Sequence, residues 1–159
     1  MTTYQAYDKA KKAQKRFPEL EPDIIQDVNI AYLYAKNVIK GRWYEAEPTI
    51  MQSPLYTCIY ARDVIKGRWP EGEPIIARNM LEACVYAIQV MQNRWIEIEH
   101  MIAQSEHSQK YIEHFFDGPL VTKDELGAFV WDRMQLPGYF APASMFETKV
   151  SVLDMMVIE

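Results

Sequence analysis

Long apolar runs are missing from this chain. No stretch approaches the roughly 20 consecutive apolar residues that a membrane span requires. The first nine residues lack the apolar segment of a secretory signal, so a cytoplasmic protein is expected. Cysteine is scarce: Cys58 and Cys84 are the two in 159 residues. They lie 26 positions apart, at equivalent places in a repeat described below. Packed helices sit about 8–10 Å apart, beyond the reach of most disulfides, so both are expected as reduced core thiols. A basic stripe is also missing. The net charge of −5 opposes a general phosphate-backbone binder, and nucleic acid is not expected as a partner. There is no Gly-rich phosphate loop and no nucleophile elbow. The histidines, His100, His107 and His114, are spaced by seven, whereas joint ligation from one helix uses i, i+4. No catalytic residue, cofactor or metal is expected.

What the chain does contain is a repeat with a period of 26 residues. Arg16, Arg42, Arg68 and Arg94 mark its four copies. Each arginine is followed by an aromatic residue (Phe17, Trp43, Trp69, Trp95) and then by two glutamates. The first glutamate column is Glu19, Glu45, Glu71 and Glu97; the second is Glu21, Glu47, Glu73 and Glu99. A fixed period in this range signals stacked supersecondary units that share one continuous core.

One unit reads as two helices. Asp27, Ser53, Asn79 and Ser105 are equivalent N-cap candidates, and Pro54 suits a first helical position. Gly41, Gly67 and Asn93 are residue types that tolerate a left-handed C-terminal cap. The long helix is therefore predicted at 28–40, 54–66 and 80–92, with a first copy at 3–14. Its apolar stripe, Ala31, Tyr34, Ala35, Val38 and Ile39, has i, i+3, i+4, i+7, i+8 spacing and recurs in later copies. A shorter helix is predicted at about 45–52, 71–78 and 97–104. It buries Leu20/Ile24, Ala46/Ile50, Gly72/Ile76 and Ile98/Ile102, and its start is made irregular by Pro22, Pro48 and Pro74.

The arginine, aromatic and glutamate columns admit two readings. Either the ring fills the space between the two helices while arginine pairs with a glutamate, or the columns form a ligand-binding ladder. Repetition in every unit favours packing, because a catalytic carboxylate pair is needed only once.

A fifth long helix is expected from Ser105 to Phe116, ended by Asp117-Gly118-Pro119. The pattern then breaks. Thr122-Lys123-Asp124-Glu125 is a capping-box signature before Leu126, Phe129, Val130 and Met134. A further helix is predicted within 144–159, although Val150, Val152, Val157 and Ile158 also suit a strand. The division predicted is a repeat array over 1–118 and a C-terminal cap or partner-binding segment over 119–159.

The Gly67-Arg68-Trp69-Pro70-Glu71-Gly72-Glu73-Pro74 motif resembles a class of tandem α-helical repeats of the "VIKGRWPEAEP" type, known from uncharacterised proteins of tailed phages and bacteria. The likeness is strongest at 38–48 and 64–74 and covers residues 1–118. It implies an α-solenoid and, by origin, a phage product acting in a host cytoplasm; it implies no activity.

The resulting expectation is an all-α protein: a short α-solenoid of about four and a half helix-turn-helix repeats with a non-repeat cap. Its expected role is a non-enzymatic protein-interaction module, such as an accessory phage protein that inhibits or redirects a host defence protein. The alternatives are a small carboxylate-based hydrolase and an acidic nucleic-acid mimic. No membrane partner is expected, and the oligomeric state is open. A partner must tell this array from others of the same repeat, so variable positions should carry recognition. The candidates are Lys36, Tyr44 and Arg62 in the repeats, with Asn37 and Asp63 beside them, and Trp131, Tyr139 and Phe140 in the tail.

Overall fold

The computed structural model describes residues 1–115, and every regular element among them is helical. The chain divides into two compact units, Met1–Arg94 and Trp95–Glu159, and residues 95–115 of the second are described. The predicted boundary at 118 and all of the predicted tail lie outside the described residues. No helix among those described is long and apolar enough to cross a membrane.

The first unit contains α1 (Thr3–Ala13), α2 (Glu21–Ile24), α3 (Val28–Tyr34), α4 (Glu47–Ile50), α5 (Pro54–Tyr60), α6 (Glu73–Ile76) and α7 (Met80–Tyr86). The second contains α8 (Glu99–Gln104) and α9 (Ser108–Phe115). The long helices of the first unit pack in sequence order: α1 against α3, α3 against α5, and α5 against α7. Between them sit the short helices α2, α4 and α6.

Capping follows local chemistry. At α1, the Thr2 hydroxyl accepts from the Gln5 N–H while the Gln5 side chain accepts from the Thr2 N–H, a reciprocal box. Asp27 accepts from the Ile30 N–H, and Asn79 from Leu81 and Glu82, as predicted. Ser53 makes no such side-chain bond.

The C-terminal ends depart from expectation. The helices α3, α5 and α7 each widen into a π-helical turn, Ala35–Ile39, Ala61–Ile65 and Ala87–Met91. The left-handed residue then falls one position early, on Lys40 (φ 57), Lys66 (φ 59) and Gln92 (φ 51). The predicted caps Gly41, Gly67 and Asn93 instead donate to the carbonyls of Ala35, Ala61 and Ala87 at 3.3 Å. The wider turn lets one carbonyl receive the N–H groups of both residues that follow the helix. A Cβ on Gly41 or Gly67 would meet nothing within 4 Å, and nothing in the surroundings explains glycine there.

The buried surface matches the first part of the stripe, while Ile39, Val64, Ile65, Val90 and Met91 at its C-terminal end are half-buried. Ala31, Tyr34, Ala35, Tyr60, Ala61, Tyr86 and Ala87 are fully buried, as are Ile24, Ile50, Ile76 and Ile102 of the short helices. The alanines let neighbouring backbones approach, and the tyrosine beside each supplies volume. Both cysteines are buried thiols outside any disulfide, with Cys58 Sγ 3.7 Å from the Glu82 carbonyl.

The fifth long helix is shifted. Ser105 is not its N-cap: it closes α8, donating its hydroxyl to the Ile102 carbonyl at 2.8 Å, and α9 begins at Ser108. Tyr111 therefore takes the tyrosine role one residue ahead of the strict period.

Candidate functional site

The repeated columns build the same polar clasp in the first three copies. The 3₁₀ turn Pro18–Leu20 leads into α2 and brings Arg16 alongside Glu21, with Nε and Nη2 both 2.9 Å from its carboxylate. Tyr34, on the following long helix, donates to Glu21 at 2.9 Å and accepts from the Phe17 backbone N–H at 3.2 Å. Arg42, Glu47, Tyr60 and Trp43 repeat this arrangement: the arginine contacts are 2.6 and 3.1 Å, and the N–H reaches the Tyr60 hydroxyl at 2.7 Å. Arg68, Glu73, Tyr86 and Trp69 do so again, at 2.9, 2.9 and 2.7 Å. In the second unit, Tyr111 donates to Glu99 at 2.8 Å and accepts from the Trp95 N–H at 2.8 Å.

Tyr34 and Tyr60 also join two hairpins through their two ends. The Tyr60 hydroxyl serves the Trp43 backbone, while its ring packs on Trp69 with centroids 5.3 Å apart. Tyr34 does the same between Phe17 and Trp43, at 5.0 Å. The arginine–glutamate contacts are charge-assisted and bidentate, the strong class of hydrogen bond, although the arginine side chains stay 32–51% exposed beside carboxylates that are 11–14% exposed. Their electrostatics agree. The Arg16 guanidinium, with help from Tyr34, holds Glu21 below the usual carboxylate range despite burial. Burial pushes the Tyr60 hydroxyl up to about 12 and raises Tyr34 and Tyr86 as well. All three therefore remain protonated donors at neutral pH.

The two glutamate columns have different roles. The second holds the clasp. The first, Glu19, Glu45, Glu71 and Glu97, is exposed. Glu45 acts on Arg16 and Glu71 on Arg42 through space, each favouring the guanidinium of the preceding copy. This gives an alternating surface line of acid and base. The indole N–H groups of Trp43 and Trp69 are buried without a hydrogen-bond acceptor, so these rings serve as volume.

The predicted recognition residues separate into distinct settings. Tyr44 is 66% exposed, with the Arg42 guanidinium 4.8 Å above its ring. Lys36 pairs with Asp63 at 2.7 Å, and the same carboxylate accepts from Tyr32 at 2.6 Å. Arg62 bonds Asp63 at 2.7 Å and reaches Gln89 on the next long helix at 3.1 Å. Asn37 donates to the Tyr7 hydroxyl at 2.8 Å. Asn37, Asp63 and Gln89 are equivalent positions, so this column ties each long helix to the one before it. Trp131, Tyr139 and Phe140 lie outside the described residues. Reading the sequence alone missed the tyrosine hydroxyls. Their 26-residue spacing was visible, but their burial suggested only a packing role.

Little here suits covalent chemistry. Burial pushes the Cys58 thiol up to about 12 and Cys84 up to about 11, which suppresses thiolate. Among the described residues no three His, Cys, Asp or Glu side chains gather as a metal site would require. No protein-family model, curated protein or solved structure matches this chain.

Proposed function

We propose that this chain is a short α-solenoid acting as a non-enzymatic protein-interaction module. The observation that carries this reading is how its side chains are used. The arginines and glutamates that a hydrolase would need are bound to one another and to buried tyrosines, identically in successive copies. Large apolar side chains stand outside in columns that vary along the array: Tyr44, whose equivalents are Pro18, Pro70 and Ile96, is 66% exposed, and Leu55 and Leu81, which share a column with Asn29, are 46% and 38% exposed. Invariant residues committed internally, with varied apolar residues outside, describe a scaffold carrying a recognition surface. The alternation of exposed glutamate with arginine opposes a nucleic-acid mimic, which needs a clustered acidic face. The motif's likeness to phage repeats makes a host protein, a defence factor included, the partner class we infer.

Affinity purification from the native cell with mass spectrometry, followed by binding measurements on the purified pair, tests this. Tyr44→Ala should weaken binding at least tenfold with little change in melting temperature. Tyr139→Ala with Phe140→Ala tests the tail in the same way. If no protein is retained beyond what a scrambled-surface variant retains, the interaction reading fails.

A further inference from the structure

The clasps of successive hairpins are interchangeable. Tyr34, Tyr60 and Tyr86 each accept from the backbone N–H of an aromatic residue and donate to the glutamate that opens the preceding short helix. The buried columns Ala35, Ala61, Ala87 and Ile24, Ile50, Ile76 are likewise identical. Nothing in them tells α5 from α7. A chain of such units is prone to stack out of order, with a hairpin skipped or borrowed from another chain. The copies differ at the seams between long helices. At the α1–α3 seam, Asn37 donates to the Tyr7 hydroxyl at 2.8 Å. At the α3–α5 seam, the Tyr32 and Tyr56 rings pack with centroids 6.0 Å apart, and Asp63 accepts from Tyr32 and Lys36 at 2.6 and 2.7 Å. At the α5–α7 seam, the equivalents of Tyr32, Tyr56, Lys36 and Asp63 are Cys58, Glu82, Arg62 and Gln89. There the Cys58 thiol lies 3.7 Å from the Glu82 carbonyl, and Arg62 reaches Gln89 at 3.1 Å.

We propose that these seams form a register key, by which each long helix recognises its own neighbour and rejects the others. Placed against α7, α3 would bring the Tyr32 ring to backbone that a thiol approaches at 3.7 Å, and Lys36 would meet an uncharged amide. Placed against α5, α1 would offer Ala6 and Ala10 where Tyr56 and Asp63 meet Tyr32 and Lys36. The observed order satisfies all of these seams together, whereas skipping a hairpin leaves a ring crowded or a carboxylate without its lysine.

Block substitutions in the full chain test the key. A front block, Tyr32→Cys with Lys36→Arg, gives α3 the forward face of α5. A back block, Tyr56→Glu with Asp63→Gln, gives α5 the backward face of α7. Either block alone mismatches a seam and should lower the melting temperature by several degrees. Both blocks together copy an existing seam and should recover most of that loss. The combined variant then carries two identical seams, so α3 accepts α7 as readily as α5. After urea denaturation and refolding at high protein concentration, sedimentation should show it as a mixture of larger species, while the parent regains its starting size. Additive losses from the two blocks, or a combined variant that does not fold, would mean that each residue serves only its own site and would overturn the proposal. A combined variant that refolds as cleanly as the parent, or a parent that also refolds into a mixture, would overturn it too. No partner takes part, so the outcome is independent of the interaction reading.

Discussion

Gly72→Ala should destabilise the protein, although alanine is normally the better residue in a helical turn. Gly72 has φ −86, an ordinary helical value, so backbone preference alone would favour alanine by about 0.4–1 kcal/mol. The space is what forbids it. A Cβ there would lie 2.7 Å from Thr57 Cγ2 and 2.7 Å from Trp69 Cε3, both on fully buried side chains. Real Cβ contacts are not this close, so the ring and the threonine must move. Overpacking of this kind costs typically about 1–3 kcal/mol, which outweighs the backbone gain. The preceding hairpin shows the remedy: it has Ala46 in place of Gly72 and Ala31 in place of Thr57, both fully buried. Thr57→Ala alone loses hydroxyl bonds to the Ser53 and Ile50 carbonyls, at 2.7 and 3.2 Å, for a cost of about 1 kcal/mol. In that background Gly72→Ala should be close to neutral, giving a coupling energy of about 1–2 kcal/mol in a double-mutant cycle. Urea denaturation of the four proteins measures it. If Gly72→Ala matches or exceeds the parent in stability, or if the two changes add without coupling, the steric argument is wrong.

Three further outcomes are expected. Trp43→Phe should cost little, because the indole N–H has no acceptor and Phe17 already fills this column, whereas Trp43→Ala should lose about 3–5 kcal/mol; thermal melts of both variants check the contrast. Asp63 is held far below the usual carboxylate range, chiefly by its bond to Arg62 and then by Lys36 and Tyr32. Its stabilisation is therefore complete above the unfolded value of about 3.9 and is lost as pH falls below it, so Asp63→Asn should flatten the acid limb of a stability–pH curve. The Tyr60 hydroxyl is shifted the opposite way, up to about 12 by burial. Its contribution is complete below the unfolded value of about 10 and is lost as pH rises toward 12, so Tyr60→Phe should lower stability at neutral pH and weaken the alkaline dependence; denaturant melts from pH 8 to 11 would show whether it does.

The amino-acid order by itself determined the period, the helical class and the alternation of one long and one short helix. Each is encoded locally: by apolar residues spaced at 3, 4, 7 and 8, by Asp27 and Asn79 as caps, and by prolines within the first turn of α2, α4 and α6. It also placed Trp43, Trp69 and Trp95 in the core, since a large ring recurring in successive copies has no other place to be buried. The tertiary structure decided which of two invariant glutamates closes on arginine, because both lie within reach of the guanidinium along the chain. Glu47 is chosen over Glu45 where the hydroxyl of Tyr60, arriving from the next long helix, adds a second donor to the same carboxylate. It decided too that Lys36, Asn37, Arg62 and Asp63, which vary as surface residues do, tie neighbouring helices together. Such partners sit 27 to 31 positions apart, one repeat and one short step, and no local pattern records them. The left-handed caps at Lys40, Lys66 and Gln92 were hidden for the same reason. Glycine beside them marked the end of the helix, but the left-handed residue falls at the same repeat position in α1, on Gln14, where no π-helical turn precedes it, and neither Gln nor Lys announces that conformation.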